Sequence, residues 1–187
     1  MDQEIHAQTA ELEESDGSNG AEKQLVHEEG EAYRRALEHM LRKEMPGNEQ
    51  YGGDYLIACI VVPAASMYEW DDVGLQWREL FEENAYIKIT VRDATDGRFV
   101  PGLTVRVTVT DKAGAIMGAH VPPFVWDPWL YHYGDNWIIP WDGDYDILVH
   151  IDVPEFPRRD RIYGKRYREP VEVCFCNVRI KTGQKQE

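Results

Sequence analysis

Residues 85 to 111 read AYIKITVRDATDGRFVPGLTVRVTVTD, and the alternation inside this stretch decides the fold class. Ile87, Ile89 and Val91 fall on one side of an extended chain, and Tyr86, Lys88, Thr90 and Arg92 fall on the other. Leu103, Val105, Val107 and Val109 repeat the pattern. Successive side chains of a strand point to opposite faces, so a period of two predicts a half-buried strand at 85–93 and another at 103–111. DATDG between them and DKAG after the second carry the Asp and Gly of turns.

DYLIACIVV at 54–62 is a nearly continuous apolar run of strand length, which suits a central strand. A short strand near 115–118, WIIP at 137–140, DYDILVHIDV at 144–153 and VEVCFCNVRI at 171–180 complete the series. In the last of these the apolar parity shifts between Val171, Val173, Phe175 and Val178, Ile180, which predicts a bulge near Cys176. Six or seven short strands with no interleaved helix predict an all-β chain: an immunoglobulin-like antiparallel β-sandwich over residues 52–183. Upstream, Tyr33, Leu37, Met40, Leu41 and Met45 recur at helical spacing before Pro46-Gly47, predicting an amphipathic helix over 27–46. Residues 1–26 are polar and acidic, with too few apolar groups to offset the entropy of ordering, and read as a disordered tail.

Charge narrows the function classes. The 187 residues carry a formal charge of −14, and residues 1 to 50 hold thirteen acidic against five basic side chains. Such a balance argues against general nucleic-acid binding, which needs a basic surface for phosphate. No glycine-rich phosphate loop opens a helix, and no GxSxG occurs among the three serines Ser15, Ser18 and Ser66. Carboxylate pairs such as Asp71-Asp72 and Glu82-Glu83 are not diagnostic in so acidic a chain. The expectation is a protein that is not an enzyme. No window approaches the ~18–20 apolar residues of a membrane span, and the amino end is no export signal, so the chain as written reads as cytoplasmic. Cys174 and Cys176, one residue apart on a strand, would sit about 7 Å from each other, which disfavours a disulfide. Cys59 lies in an apolar run, and buried reduced thiols are expected for all three cysteines.

The chemistry concentrates in HVPPFVWDPWLYHYGDNW at 120–137, a turn-rich segment with two His, three Trp, two Tyr and two Asp. Aromatic, imidazole and carboxylate groups on a stiff loop beside a sheet make a binding site, or they close the open end of a sandwich. His150 points to the outer face of its strand, whereas His120 and His132 flank the loop with Met117 and Asp127 nearby. Imidazole, thioether and carboxylate together suit copper or iron better than calcium. A second feature is RRDRIYGKRYR at 158–168, six basic residues in eleven, which is either a solvated connection or a docking patch for an acidic tail, a subunit or an anion.

The order of an apolar strand, then PPFVWDPWLYHYGDN, then DYDILVHIDVPEF, an Arg-rich turn with Gly164 and a final strand with PVEV resembles the periplasmic iron-transport accessory proteins over residues 54 to 182. HYGxN, carried by His132, Tyr133, Gly134 and Asn136, is the closest match. The resemblance implies an immunoglobulin-like sandwich that forms a homodimer, binds a copper or iron ion, resides outside the cytoplasm and works beside a membrane iron permease. It assigns metal-ligand roles to His132 and Asp127. Phe124 stands where the family has a methionine, Ser66 where it has a glutamate with Glu69 close by, and the Arg158-Arg159 region where it has a second histidine. Two readings follow. One is a metal-capturing, handing-over protein with His132, Asp127, His120, Met117 and Glu69 as candidate ligands. The other is a metal-free interaction module on the same fold, with the loop aromatics and the arginine turn as its surface.

Overall fold

The computed structural model describes residues 20–44 and 48–182. Residues 1–19 of the expected tail, and the Met45 and Pro46-Gly47 expected to end the helix, lie outside the described residues. One helix, α1 (Gly20–Glu44), precedes eleven strands: β1 (Asn48–Gly52), β2 (Tyr55–Pro63), β3 (Met67–Asp71), β4 (Gly74–Arg78), β5 (Ala85–Asp93), β6 (Val105–Thr110), β7 (Ile116–His120), β8 (Phe124–Val125), β9 (His132–Trp137), β10 (Gly143–Ile151) and β11 (Val171–Ile180). A five-stranded sheet runs β1-β2-β5-β9-β8 and a four-stranded sheet runs β11-β10-β6-β7, with β3-β4 a separate hairpin. Every pairing between strands is antiparallel. The expected all-β sandwich is therefore the observed architecture.

Alternation builds the core. Ile57 and Cys59 of β2, Ile87, Ile89 and Val91 of β5, and Tyr133 and Trp137 of β9 meet Val105, Val107 and Val109 of β6, Ile147, Val149 and Ile151 of β10, and Val173 and Phe175 of β11. Removing such side chains from water is the main force holding two sheets face to face.

The expectation of a half-buried strand at 85–93 is corrected, because all nine residues of β5 are buried. The cause is α1, which lays Leu37 and Met40 on Ala58, Ile60 and Leu130 and so covers the outer face of the first sheet. The helix begins at Gly20 rather than near residue 27, and its exposed side is braced by Arg34 between Glu31 and Glu38. Gly30 allows the close crossing: a Cβ there would lie 1.8 Å from the Asp96 carbonyl oxygen. Burial of the outer face encloses Lys88, Thr90 and Arg92, and Arg92 pairs with Glu49.

Two further differences concern the 120–137 segment and the cysteines. The strand expected at WIIP lies at His132–Trp137 instead, and Ile138 to Pro140 leave the sheet. HYGDNW places Tyr133, Asp135 and Trp137 on one side and His132, Gly134 and Asn136 on the other, with no aliphatic residue, so its period of two is hidden among turn residues. The bulge near Cys176 is present: Tyr145 pairs with Val178 and Ile147 with Phe175, leaving Asp146 opposite two residues, and Asn177 adopts a φ of 60°. That kink overturns the expected separation of the cysteines, whose sulfurs lie 3.0 Å apart. Cys59 is buried as expected, while Cys174 is half-buried and Cys176 exposed.

Candidate functional site

Each residue of the HYGDN segment on β9 has an identifiable structural partner. The parity of β9 sends His132, Gly134 and Asn136 to the outer face, beneath α1 and its neighbours, and Tyr133 and Trp137 into the inter-sheet core. His132 is buried, with Nδ1 2.9 Å from the Leu130 carbonyl oxygen and Nε2 3.0 Å from the Tyr86 hydroxyl. A carbonyl can only accept, so Nδ1 carries the hydrogen and the neutral ring accepts the Tyr86 O–H at Nε2. Burial pushes the His132 imidazole below its ordinary pKa, and the nearby Lys88 ammonium works in the same direction, against the Leu130 hydrogen bond and the Asp127 charge. Burial also raises the Tyr86 phenol, which stays a donor.

The neighbours complete the pattern. The Tyr133 hydroxyl donates to the Val100 carbonyl at 2.8 Å and accepts the Leu103 N–H at 3.0 Å, tying the β5–β6 connection to β9. At Gly134 a Cβ would sit 2.3 Å from the Tyr86 oxygen and 2.8 Å from His132 Cδ2, so only glycine leaves room for that pair. Asp135 holds His120 Nδ1 at 2.7 Å, and the His120 ring stacks on Trp137 with centroids 3.8 Å apart. Asn136 brackets Ala65, accepting its N–H at 3.2 Å and donating to its carbonyl at 3.0 Å, which fixes the root of the β3–β4 hairpin.

The five candidate ligands are distributed over several elements. His132 and Asp127 come close enough for the Asp127 charge to act on the imidazole, although Asp127 Oδ1 also accepts the Trp129 N–H at 2.9 Å. His120 and Met117 belong to β7 of the other sheet; Met117 packs against the inter-sheet core and His120 is held by Asp135. Glu69 stands on the hairpin, paired with Arg78 at 3.3 Å. Among the described residues no group of three or more His, Cys, Asp or Glu is arranged to hold a metal ion. Occupying Nε2 of His132 would require displacing Tyr86, in a place where Lys88 is a buried cation. As arranged among the described residues, the groups around His132 do not form a metal-binding set.

Sequence reasoning passed over three features. The alternation puts Tyr86 and Lys88 on the outer face of β5, but nothing in the local pattern tells that α1 covers them. The β3–β4 hairpin exposes Tyr68, Trp70, Leu75 and Trp77, with Phe81 just beyond it, and its alternation is masked because neither face is buried. On the aromatic segment itself Trp126 and Trp129 are largely exposed, at 69% and 80%. Of the basic cluster, Arg166 binds Asp93 at 2.6 Å and Arg158 reaches the carbonyls of Pro154 and Tyr167, while Arg159, Arg161, Lys165 and Arg168 face outward.

No family model and no curated protein sequence matches the chain. Solved structures do. FetP of uropathogenic Escherichia coli strain F11 is 18% identical, with 72% of this chain aligned to 95% of that one at a TM-score of 0.58. Copper-reconstituted P19 of Campylobacter jejuni is 19% identical, with 72% and 96% covered and a TM-score of 0.58. A copper-bound variant of the same P19 reaches 0.59 at 18% identity, with 70% and 93% covered. The fold is that of FetP and P19, as the resemblance of the HYGxN region implied.

Proposed function

We propose that this chain is a non-enzymatic binding protein that keeps the FetP and P19 scaffold, uses His132 as a structural residue and pairs with a second copy of itself through its exposed aromatics. The observation that carries this reading is the commitment of both ring nitrogens of His132, one to Leu130 and one to Tyr86. The Nδ1–H has no lone pair to give, and the lone pair of Nε2 already accepts the Tyr86 hydroxyl, so a metal ion would have to displace that buried bond. The aromatic side chains on the β3–β4 hairpin and around Trp126 and Trp129 are of the type that anchors protein interfaces. A second copy is the occupant chosen because the family resemblance implies a homodimer.

The structural likeness to copper-bound P19 favours a second reading, capture and handover of copper or iron beside a membrane iron permease outside the cytoplasm. Its ligands would come from His132, Asp127, His120, Met117 and Glu69, and binding would require the outer face to rearrange.

One pair of measurements separates the two. Titration of the full chain with copper(II) and with iron(II), followed by Trp fluorescence, gives no saturable one-to-one signal on the first reading. Sedimentation velocity gives a dimer that dissociates when Trp126 and Trp129 are both replaced by Ala. A stable monomer that takes up one copper, and loses that uptake in His132→Ala, overturns the first reading and supports the second.

A further inference from the structure

Cys174 and Cys176 form a close pair of thiols that the aromatic surface and His132 do not use. Residues i and i+2 of a regular strand share a face but stand about 7 Å apart, too far for two cysteine side chains to join. Here β11 is bulged opposite Asp146, and the bulge brings the two sulfurs to 3.0 Å. Asp146 holds the kink by accepting the Asn177 N–H at 2.8 Å and the Lys112 ammonium at 2.5 Å, and Asn177 supplies the left-handed φ of 60° that the turn needs. β11 is an edge strand, and its Cys176 is exposed. The two thiols differ in exposure, with Cys176 open and Cys174 partly covered.

We propose that Cys174 and Cys176 are a redox-active dithiol that a small-molecule disulfide converts into an intrastrand disulfide by thiol–disulfide exchange. The Cys176 thiolate attacks one sulfur of the small disulfide, breaking its S–S bond; a mixed disulfide forms, and the first small thiol leaves with the proton that Cys176 gave up. Cys174 then attacks Cys176 Sγ. The mixed S–S bond breaks, the Cys174–Cys176 bond forms, and the second small thiol departs with the Cys174 proton. Two protein thiols lose two electrons, and one disulfide is reduced to two thiols, so the exchange balances.

The order of attack follows from the setting. Cys176 is the exposed thiol and meets the small disulfide first, while burial, the Cys176 thiol and the Asp146 charge push Cys174 up to about 11. Once Cys176 is in the mixed disulfide, the Cys174 sulfur beside it, 3.0 Å away in the reduced pair, is placed to resolve the intermediate. Cys59 takes no part, because it is buried in the core.

The test uses the full chain, equilibrated with mixtures of reduced and oxidised glutathione, then alkylated without denaturation and mapped by mass spectrometry. Wild type is expected to lose both accessible thiols together, with a mass lower by two hydrogens on the peptide holding residues 174 and 176. Cys174→Ser is expected to stop with one glutathione on Cys176, and Cys176→Ser to acquire glutathione about tenfold more slowly or worse. Wild type that keeps both thiols alkylatable in the oxidised buffer, accumulates glutathione on either cysteine, or forms disulfide-linked dimers would overturn the proposal. Urea melts of both Ser variants, matched to wild type under reducing conditions, keep a folding defect from being mistaken for lost exchange.

Discussion

Tyr86 and His132 meet edge-on on the outer face of the first sheet, their rings at 89° and the phenol oxygen 3.0 Å from Nε2. They come from neighbouring strands β5 and β9, and the register that sets Tyr86 opposite Asn136 and Lys88 opposite Gly134 leaves the glycine between the two rings. A residue that reads in the sequence as a metal ligand is in the fold a cross-strand hydrogen-bonding partner.

Removing the hydroxyl tests that role. Tyr86→Phe leaves a buried Nε2 without its donor and should cost about 1–3 kcal/mol in urea unfolding. His132→Ala removes a buried ring and both hydrogen bonds, and its cost should be larger, about 2–4 kcal/mol. A His132→Ala variant as stable as wild type would mean that the ring does not brace the sheet.

The acid side of the stability profile should carry the same signature. Burial holds the His132 pKa below its ordinary 6.5 in the folded chain. The unfolded chain therefore binds a proton first as pH falls, so the contribution of His132 is fully present above its ordinary pKa and is lost as pH drops through the interval down to the folded value. The stability gap between wild type and His132→Gln should narrow from pH 7.5 to about pH 5. A gap that stays constant across that range would show the imidazole to be unshifted.

Helix docking rests on one glycine. Gly30→Ala would drive a methyl group into the Asp96 carbonyl oxygen at 1.8 Å, and because that atom is backbone, the helix must lift rather than the neighbour rotate. The expected cost is about 1–3 kcal/mol, with faster hydrogen exchange along β5, whose outer face α1 covers. Exchange in β10, far from the helix in the other sheet, should stay at the wild-type rate.

The fold was legible where one face of a strand is apolar: β5, β6, β10 and β11 were read from alternation, and the parity shift in β11 located its bulge. β9 was missed because its core-facing residues are Tyr133 and Trp137 rather than aliphatics, and the hairpin because no sheet covers it. The candidate site was legible in residue types but not in convergence. His120 and His132 are twelve residues apart in sequence and read as the two flanks of one loop. Yet His120, at the end of β7, meets Asp135, while His132 turns to the other face of β9 and meets Tyr86. Which face of a sheet a later-docking helix will cover is a tertiary fact that no local period encodes.

The basic run at 158–168 should divide into two classes under mutation. Asp93 is almost fully buried and receives Arg166 at 2.6 Å, the Thr95 N–H at 2.7 Å and the Tyr167 hydroxyl. Arg166→Ala strips the cation from an enclosed carboxylate, and breaking such a pair from one side should cost about 3 kcal/mol. Arg159 and Arg168 are exposed, and replacing either with Ala should change stability by less than about 0.5 kcal/mol. Thermal unfolding of the three variants checks the division. Equal, small losses in all three would mean that the whole run is a solvated connection, whereas a loss confined to Arg166 assigns it to the joint between the β10–β11 connection and the end of β5.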